Sequence, residues 1–404
     1  MAVRRGIALL ALVAVAGAAR GQSPTAFKRP RLTADADTND ARAYYDFGVV
    51  VLRKEPWKAA AAFYWASRLD PSWAEALYAQ RVAVLMAQEH LLIGYLEGSR
   101  TVVNSRDALH LDSLEYQAQR LNPFYERRLQ EALFAGYLTA LYKRARSQAG
   151  ERPLDPADRQ ALEYMVDQYL QSGNNTYLRA ALAASRGRVA QALEFYRQLL
   201  PQVNVKAEVH ADRAKLFYNI GNYDSALVEL DGALSELRQK DTIGLTHVYV
   251  SRELMEHAIG VIHEAAGDTA AARAAYGRAL QENLAYAPAH VRLAVLDLLA
   301  RDSAKALAEF DVAVQVAPTE APLRTAYGLA LVRAGRRDEA AVQLRRAVEL
   351  EPYFAAPHYV LGFVAELQGN RDEALAGYRA FLSRAARRDP IRAAVEQRVA
   401  DLTP

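Results

Sequence analysis

The side chains best suited to chemistry are histidine and cysteine, and their number and spacing argue against most common sites. The chain holds eight histidines and no cysteine, so disulfides, thiolate metal ligands and cysteine nucleophiles are excluded. His263 and Glu264 begin like the helix of a zinc protease, but Gly267 stands where the second histidine would be. His257 lies six residues before His263, a spacing that puts them on different faces of a helix. The sequence therefore predicts no metal site and no cofactor.

Other catalytic signatures are missing as well. The sequence contains no G-x-S-x-G elbow, phosphate-binding loop, dinucleotide fingerprint or calcium loop. Acidic residues occur at the spacings expected of solvated helix faces. We therefore expect a protein that is not an enzyme. One alternative stays open, a hydrolase with its site in the irregular segment 94–171, because insertions into scaffolds can host active sites.

The elements that would position any site are set by an internal repeat. An alanine returns every 34 residues in the second half of the chain, with one longer step of 46. A large apolar residue follows each alanine by four positions, and a glycine precedes it by five except at Arg301. This pattern predicts a helix, a turn and a second helix in each unit. The six alanines are Ala192, Ala226, Ala272, Ala306, Ala340 and Ala374.

The period and the pattern of small, aromatic and proline positions resemble the tetratricopeptide repeat family. The fit is best over 321–382, where Gly328, Ala340 and Pro352 fall at pattern positions, although the signature tryptophan is absent. The resemblance implies an all-α fold, a right-handed α-solenoid of stacked helix-turn-helix repeats with a C-terminal capping helix.

Packing explains the small residues. Two helices approach to about 8–10 Å only where a side chain at the crossing is short. The large residue one turn further on then fills the space between helices, and glycine lets the chain leave the first helix with a positive φ. No unit can bury its own apolar stripe, so stability comes from stacking on its neighbours.

The first 21 residues have the pattern of a secretory signal peptide. Arg4 and Arg5 precede the apolar run Ile7 to Ala19, and small residues follow. Thirteen residues are too few for a membrane span, which takes about 20. The sequence predicts an exported protein, periplasmic or associated with the cell envelope or secreted, with no membrane span in the mature chain.

The remaining chain divides by regularity. The irregular part begins with a first repeat near Gly48 and Phe63, and a helix is predicted over 124–147. An enlarged loop is predicted at 237–247. The predicted divisions are 1–21 signal peptide, 22–40 disordered lead-in, 41–206 irregular repeats with an insertion near 90–106, 207–388 regular repeats, and 389–404 capping helix and tail.

Charge argues against nucleic acid as a partner. The formal net charge is +3. Removal of Arg4, Arg5 and Arg20 with the signal peptide leaves a net charge of zero. A neutral chain is not drawn as a whole to nucleic acid or to anionic membranes. We expect a protein or peptide partner, and a chain that is monomeric or associates weakly with itself.

The family resemblance also implies where a partner lies. In that family the first helix of each unit lines a concave groove that takes a peptide or a helix. Mapped unit by unit, this implies a mostly apolar groove with aromatic anchors, unless these side chains only pack against neighbouring helices. The candidate partner-binding residues are Tyr177, Lys215, Tyr218, Asn219, His257, Tyr359 and Phe363.

The leading functional prediction is a non-catalytic protein–protein interaction scaffold outside the cytoplasm. Signal peptide, repeats and missing catalytic motifs all favour it. An alternative is an accessory subunit of an envelope machine that exports or assembles polysaccharide, protein or pili. That alternative depends on analogy between family members rather than on residues.

Overall fold

The computed structural model describes residues 27–96, 106–149, 176–203, 206–239 and 250–403. In these ranges the regular elements are all helices, and no strand occurs. The predicted signal peptide, most of the predicted loop at 237–247 and much of segment 94–171 lie outside them. The helices are α1 Ala41–Val51, α2 Pro56–Leu69, α3 Ala74–Ala87, α4 Glu89–Leu96, α5 Arg106–Leu121, α6 Gln130–Ala149, α7 Thr176–Ser185, α8 Val189–Leu199, α9 Lys206–Asn219, α10 Tyr223–Gln239, α11 Arg252–Ala265, α12 Thr269–Glu282, α13 Ala287–Leu299, α14 Ser303–Val316, α15 Ala321–Arg333, α16 Arg337–Leu350, α17 Ala356–Leu367, α18 Arg371–Leu382 and α19 Arg392–Leu402.

The helices form an all-α solenoid, as the repeat predicts. From α7 to α18 they pack in pairs, and each pair packs against the next along the chain. All six repeat alanines are completely buried. Close helix crossings require small side chains, and the repeat supplies a buried one in each unit.

Small and large residues fit together within a unit as expected. A side chain on Gly328 would stand 2.7 Å from Leu344 Cγ, and one on Gly362 would stand 2.7 Å from Tyr378 Cδ1. The same fit occurs near the N-terminus, where a Cβ on Gly48 would stand 2.7 Å from the ring of Phe63. The glycine of the first helix thus makes room for the large residue of the second.

The turns between paired helices use left-handed backbone. Gly335 has a φ of 76°, and the glycines at the equivalent turns have φ between 71° and 81°. Arg301 replaces glycine in one unit and still adopts a φ of 61°. The backbone closes in the same way in both cases, because the amide of Arg336 donates to Leu331 O and that of Asp302 donates to Asp297 O.

The N-terminal part departs from the regular pattern. α3 packs against α5, with the short α4 between them in sequence. The helix predicted over 124–147 is wrong at its start, because Phe124 to Leu129 form a non-helical loop and α6 begins at Gln130. Pro123 and the buried rings of Phe124 and Tyr125 hold this loop in place.

Contacts also join parts of the chain that are far apart in sequence. From Phe27 onward, the segment expected to be a disordered lead-in packs on α2, where Trp65 Nε1 donates to Phe27 O at 2.8 Å. The ring of Trp65 in turn lies 4.7 Å from that of Tyr353, between α16 and α17. The N-terminal helices therefore contact the C-terminal repeats directly, an addition to the neighbour-only packing of a simple solenoid.

Candidate partner-binding surface

Four of the seven predicted binding residues are covered by the chain itself. The ring of Tyr218 stacks on that of Phe124 at 3.9 Å. Lys215 Nζ stands 5.3 Å from the ring centroid of Tyr125. The Tyr177 hydroxyl donates to Asp212 Oδ2 at 3.3 Å. The two side chains of α9 therefore meet the loop after α5 instead of an open groove, and Tyr177 of α7 bonds to α9.

The fourth covered residue, His257 on α11, is 1% exposed. Its ring lies between those of Tyr276 and Tyr286, at 5.4 and 5.5 Å. Burial, with Arg292 and Arg120 nearby, lowers its pKa to about 3. His257 is therefore a neutral core side chain at ordinary pH.

A network of buried charges surrounds Lys215. Glu115 Oε1 accepts from Arg127 at 3.1 Å, and Arg127 Nη1 also donates to Asp212 Oδ1 at 3.2 Å. Burial would raise the pKa of Glu115, but Arg127 and Arg81 outweigh it and hold the pKa at about 2. The Glu115 carboxylate thus stays ionised, and Arg127, bonded to both Glu115 and Asp212, ties the loop after α5 to α9.

Lys215 adds a positive charge to this network. Burial and then the positive charge of Arg127 lower its pKa to about 8. Its contact with the Tyr125 ring is a cation–π interaction. Lys215 therefore serves the packing of the N-terminal loop, a role that sequence spacing did not indicate.

The other three predicted residues differ in how far they are exposed. Tyr359 on α17 packs on Tyr378 and Phe381, with ring centroids 6.1 and 5.7 Å away, and is mostly core. Phe363, one turn later, is 37% exposed, and Asn219 is exposed at the end of α9. Of the predicted aromatic anchors, Phe363 is the one that can meet a partner without rearrangement.

Phe363 belongs to a larger apolar surface, which we call the apolar strip. Val295, Leu329 and Phe363 occupy the same repeat position, 34 residues apart, in α13, α15 and α17. Residues at one repeat position line one face of a solenoid. Leu299 and Leu367 follow one turn later in α13 and α17. The five exposed fractions are 38% for Val295, 72% for Leu299, 42% for Leu329, 37% for Phe363 and 39% for Leu367.

Arg333 occupies the position in α15 that Leu299 and Leu367 occupy in the flanking helices. It is exposed, and no acidic side chain among the described residues pairs with it. The strip therefore presents five apolar side chains around the exposed guanidinium of Arg333. The period alone could have located this set, since all six positions follow from a stride of 34.

Two further properties concern metals and membranes. Within the described ranges, no three histidine, aspartate or glutamate side chains are grouped so that they could hold a metal ion. None of the helices that the structure describes combines the length and apolar character needed to cross a bilayer.

No protein-family model matches the chain, and no curated protein matches it. Solved structures are similar to about half of it. MamA is 21% identical, over 43% of this chain and 94% of its own, with a TM-score of 0.35. YrrB, a TPR protein with an unusual peptide-binding site, is 19% identical over 51% of this chain and all of its own, with a TM-score of 0.39. The C-terminal part of a TPR repeat-containing protein from Cytophaga hutchinsonii is 14% identical over 51% and 77%, with a TM-score of 0.41.

Proposed function

We propose that this chain is a non-catalytic scaffold that binds an apolar segment of a partner protein on its apolar strip. The observation that carries the proposal is the row formed by Val295, Leu329 and Phe363, which stay exposed while most apolar side chains of the repeats are buried. A row of exposed apolar side chains of this kind is costly to leave in water and typically marks an interaction site.

The shape and charge of the strip favour one class of partner. Successive first helices lie side by side, so the strip offers shallow apolar positions at regular spacing to an amphipathic helix or an extended apolar peptide. Arg333, at the centre, adds a requirement for a carboxylate in the middle of that segment. We further propose that binding takes place outside the cytoplasm, since the N-terminal sequence has the pattern of a signal peptide.

A comparison of strip variants in pull-downs tests this function. The mature chain, immobilised, is exposed to envelope extract, and retained proteins are identified by mass spectrometry. A glutamate at position 329 or 363 (Leu329→Glu, Phe363→Glu) should release the specific partner. Val342→Glu is the matched control, because Val342 is 59% exposed on α16, away from the strip. A set of retained proteins that is the same for all four proteins would refute the strip as the binding surface.

Arg333 provides the second test. Arg333→Glu should weaken binding of the partner isolated above at least tenfold if a carboxylate faces it, and the loss should shrink as salt is raised. Arg345→Glu is the control, since Arg345 is also exposed and lies on α16. Equal effects of the two substitutions would show a general charge effect in place of a specific contact.

A further inference from the structure

The N-terminal block, residues 27–96 and 106–129, meets the C-terminal repeats along a line of side-chain contacts that we call the docking seam. Two aromatic pairs belong to it, Trp65 with Tyr353 and Phe124 with Tyr218. The rest is ionic. The four ion pairs are Asp37 with Arg387, Arg68 with Glu351, Arg120 with Glu320 and Arg127 with Asp212.

The seam covers surface that the repeat pattern assigns to the groove. Tyr218 and Lys215 lie at inward positions of α9, and the rings of Phe124 and Tyr125 lie over them. His257, the inward residue of α11, has Arg120 of the N-terminal block beside it. The block therefore sits where the family pattern places a bound peptide, and one half of the groove is filled by the chain itself.

We propose that the docked N-terminal block is an autoinhibitory occupant of this half of the groove, and that a partner gains access by displacing it. The proposal rests on the scaffold function above and adds its regulation. The more exposed ion pairs of the seam are suited to release, because partly exposed pairs contribute little each and polar interfaces within a chain permit relative motion. Side chains of the Arg120–Glu320 pair, for example, are 20% and 40% exposed.

The loop after α5 also defines which partner segment could replace it. Phe124 supplies a ring to Tyr218, and Arg127, three residues later, supplies a guanidinium to Asp212. A competing segment needs the same two groups at the same spacing. The displacing partner is thus a peptide with an aromatic residue followed by an arginine three positions on, which differs from the acidic apolar segment proposed for the strip.

A distance measurement tests the docking itself. Because the chain has no cysteine, cysteines at the exposed positions Lys54 and Arg388 can carry spin labels without background. We expect one narrow distance distribution in the parent chain. Arg68→Glu with Arg120→Glu should lengthen and broaden it, and adding Glu351→Arg with Glu320→Arg should restore it. Circular dichroism of each variant checks that the helices remain folded.

The rescue makes the test decisive. An unchanged distribution in the charge-reversed variant would overturn the proposal, and so would a lengthened one that the complementary reversal fails to restore. Acylation of Lys215, followed by mass spectrometry, gives an independent readout. Its rate should rise several-fold in the charge-reversed chain and fall again on rescue, while the exposed Lys54 of the unlabelled chain reacts equally in all three.

The predicted peptide chemistry has its own test. A synthetic peptide with the sequence of residues 120–129, RLNPFYERRL, should bind the charge-reversed chain at least tenfold more tightly than the parent chain. The control peptide carries alanine at the positions of Phe124 and Arg127. Equal binding of the peptide to both proteins, or equal binding of the two peptides, would refute an occluded site of this specificity. None of these measurements involves the apolar strip, so their failure leaves the scaffold function untouched.

Discussion

Two glycine-to-alanine substitutions separate the packing of the repeat from helix propensity. Gly260 and Gly277 both lie inside helices, in α11 and α12 of the same unit. A Cβ on Gly260 would stand 2.6 Å from Tyr276 Cδ1 and 2.7 Å from Cζ, and nearer still to Cε1. A Cβ on Gly277 would meet nothing within 4 Å. The two variants therefore differ in the steric crowding of the added methyl group and in little else.

The expected magnitudes follow from these distances. Alanine in place of glycine stabilises a helix interior by about 1 kcal/mol, and this gain is common to both variants. Overpacking costs about 1–3 kcal/mol, and Gly260→Ala belongs at the upper end because the fully buried ring of Tyr276 has no room to move. We expect Gly277→Ala to stabilise by about 1 kcal/mol and Gly260→Ala to destabilise by about 2 kcal/mol.

Urea unfolding followed by circular dichroism gives the free energy of unfolding of each variant. Repeat arrays can unfold in parts. Hydrogen exchange of the peptides covering 252–282 should therefore rank the local stabilities of the two variants in the same order. The difference between the variants, about 3 kcal/mol, isolates the overpacking cost. Equal stabilities for Gly260→Ala and Gly277→Ala would refute the idea that a small residue at this crossing makes room for the large residue of the next helix.

Three further predictions concern the core, a buried histidine and a turn. Ala340→Leu should lower the free energy of unfolding by about 1–3 kcal/mol, because Ala340 is fully buried at a helix crossing, and a melting temperature equal to that of the parent would contradict this. The unfolded chain protonates His257 near its ordinary pKa while the folded chain resists until about 3, so stability should fall with decreasing pH across this window by about 1.4 kcal/mol per pH unit. His257→Gln should flatten that slope and His90→Gln, at an exposed position, should not; parallel slopes in both variants would exclude His257 as the cause. Arg301→Gly should raise the melting temperature slightly, by the equivalent of about 1 kcal/mol, because it relieves left-handed backbone at a φ of 61°, and a lower melting temperature would show that the arginine side chain contributes more than this strain.

The paired helices could be predicted because their causes are local. A small residue such as Gly328 and a large one such as Leu344 lie within one unit, 16 residues apart, and their fit is repeated in the next. The turn glycines are predictable for the same reason, since a single backbone angle explains them. Arg301 stands where the other units have glycine. There the geometry of the surrounding turn still imposes a positive φ.

The accessible part of the candidate site was only partly predictable. The family resemblance, mapped onto the repeat, implies Phe363 as a groove residue, and Phe363 is exposed. Lys215 and Tyr218 were identified by the same reasoning and are covered. Repeat position determines the direction of a side chain, but it carries no information on what another part of the chain brings to that face.

The sequence by itself determined the repeated unit, its crossings and its turns, because each depends on residues within about one period of one another. Tertiary structure alone decided the docking of the N-terminal block, as in the pair Arg68 and Glu351, 283 residues apart. Small angles between successive units add up along a solenoid, and their sum determines which distant surfaces meet. No residue pattern within a single unit encodes that sum, so which of the repeat surfaces the N-terminal block covers and which stay exposed follows from the assembled solenoid.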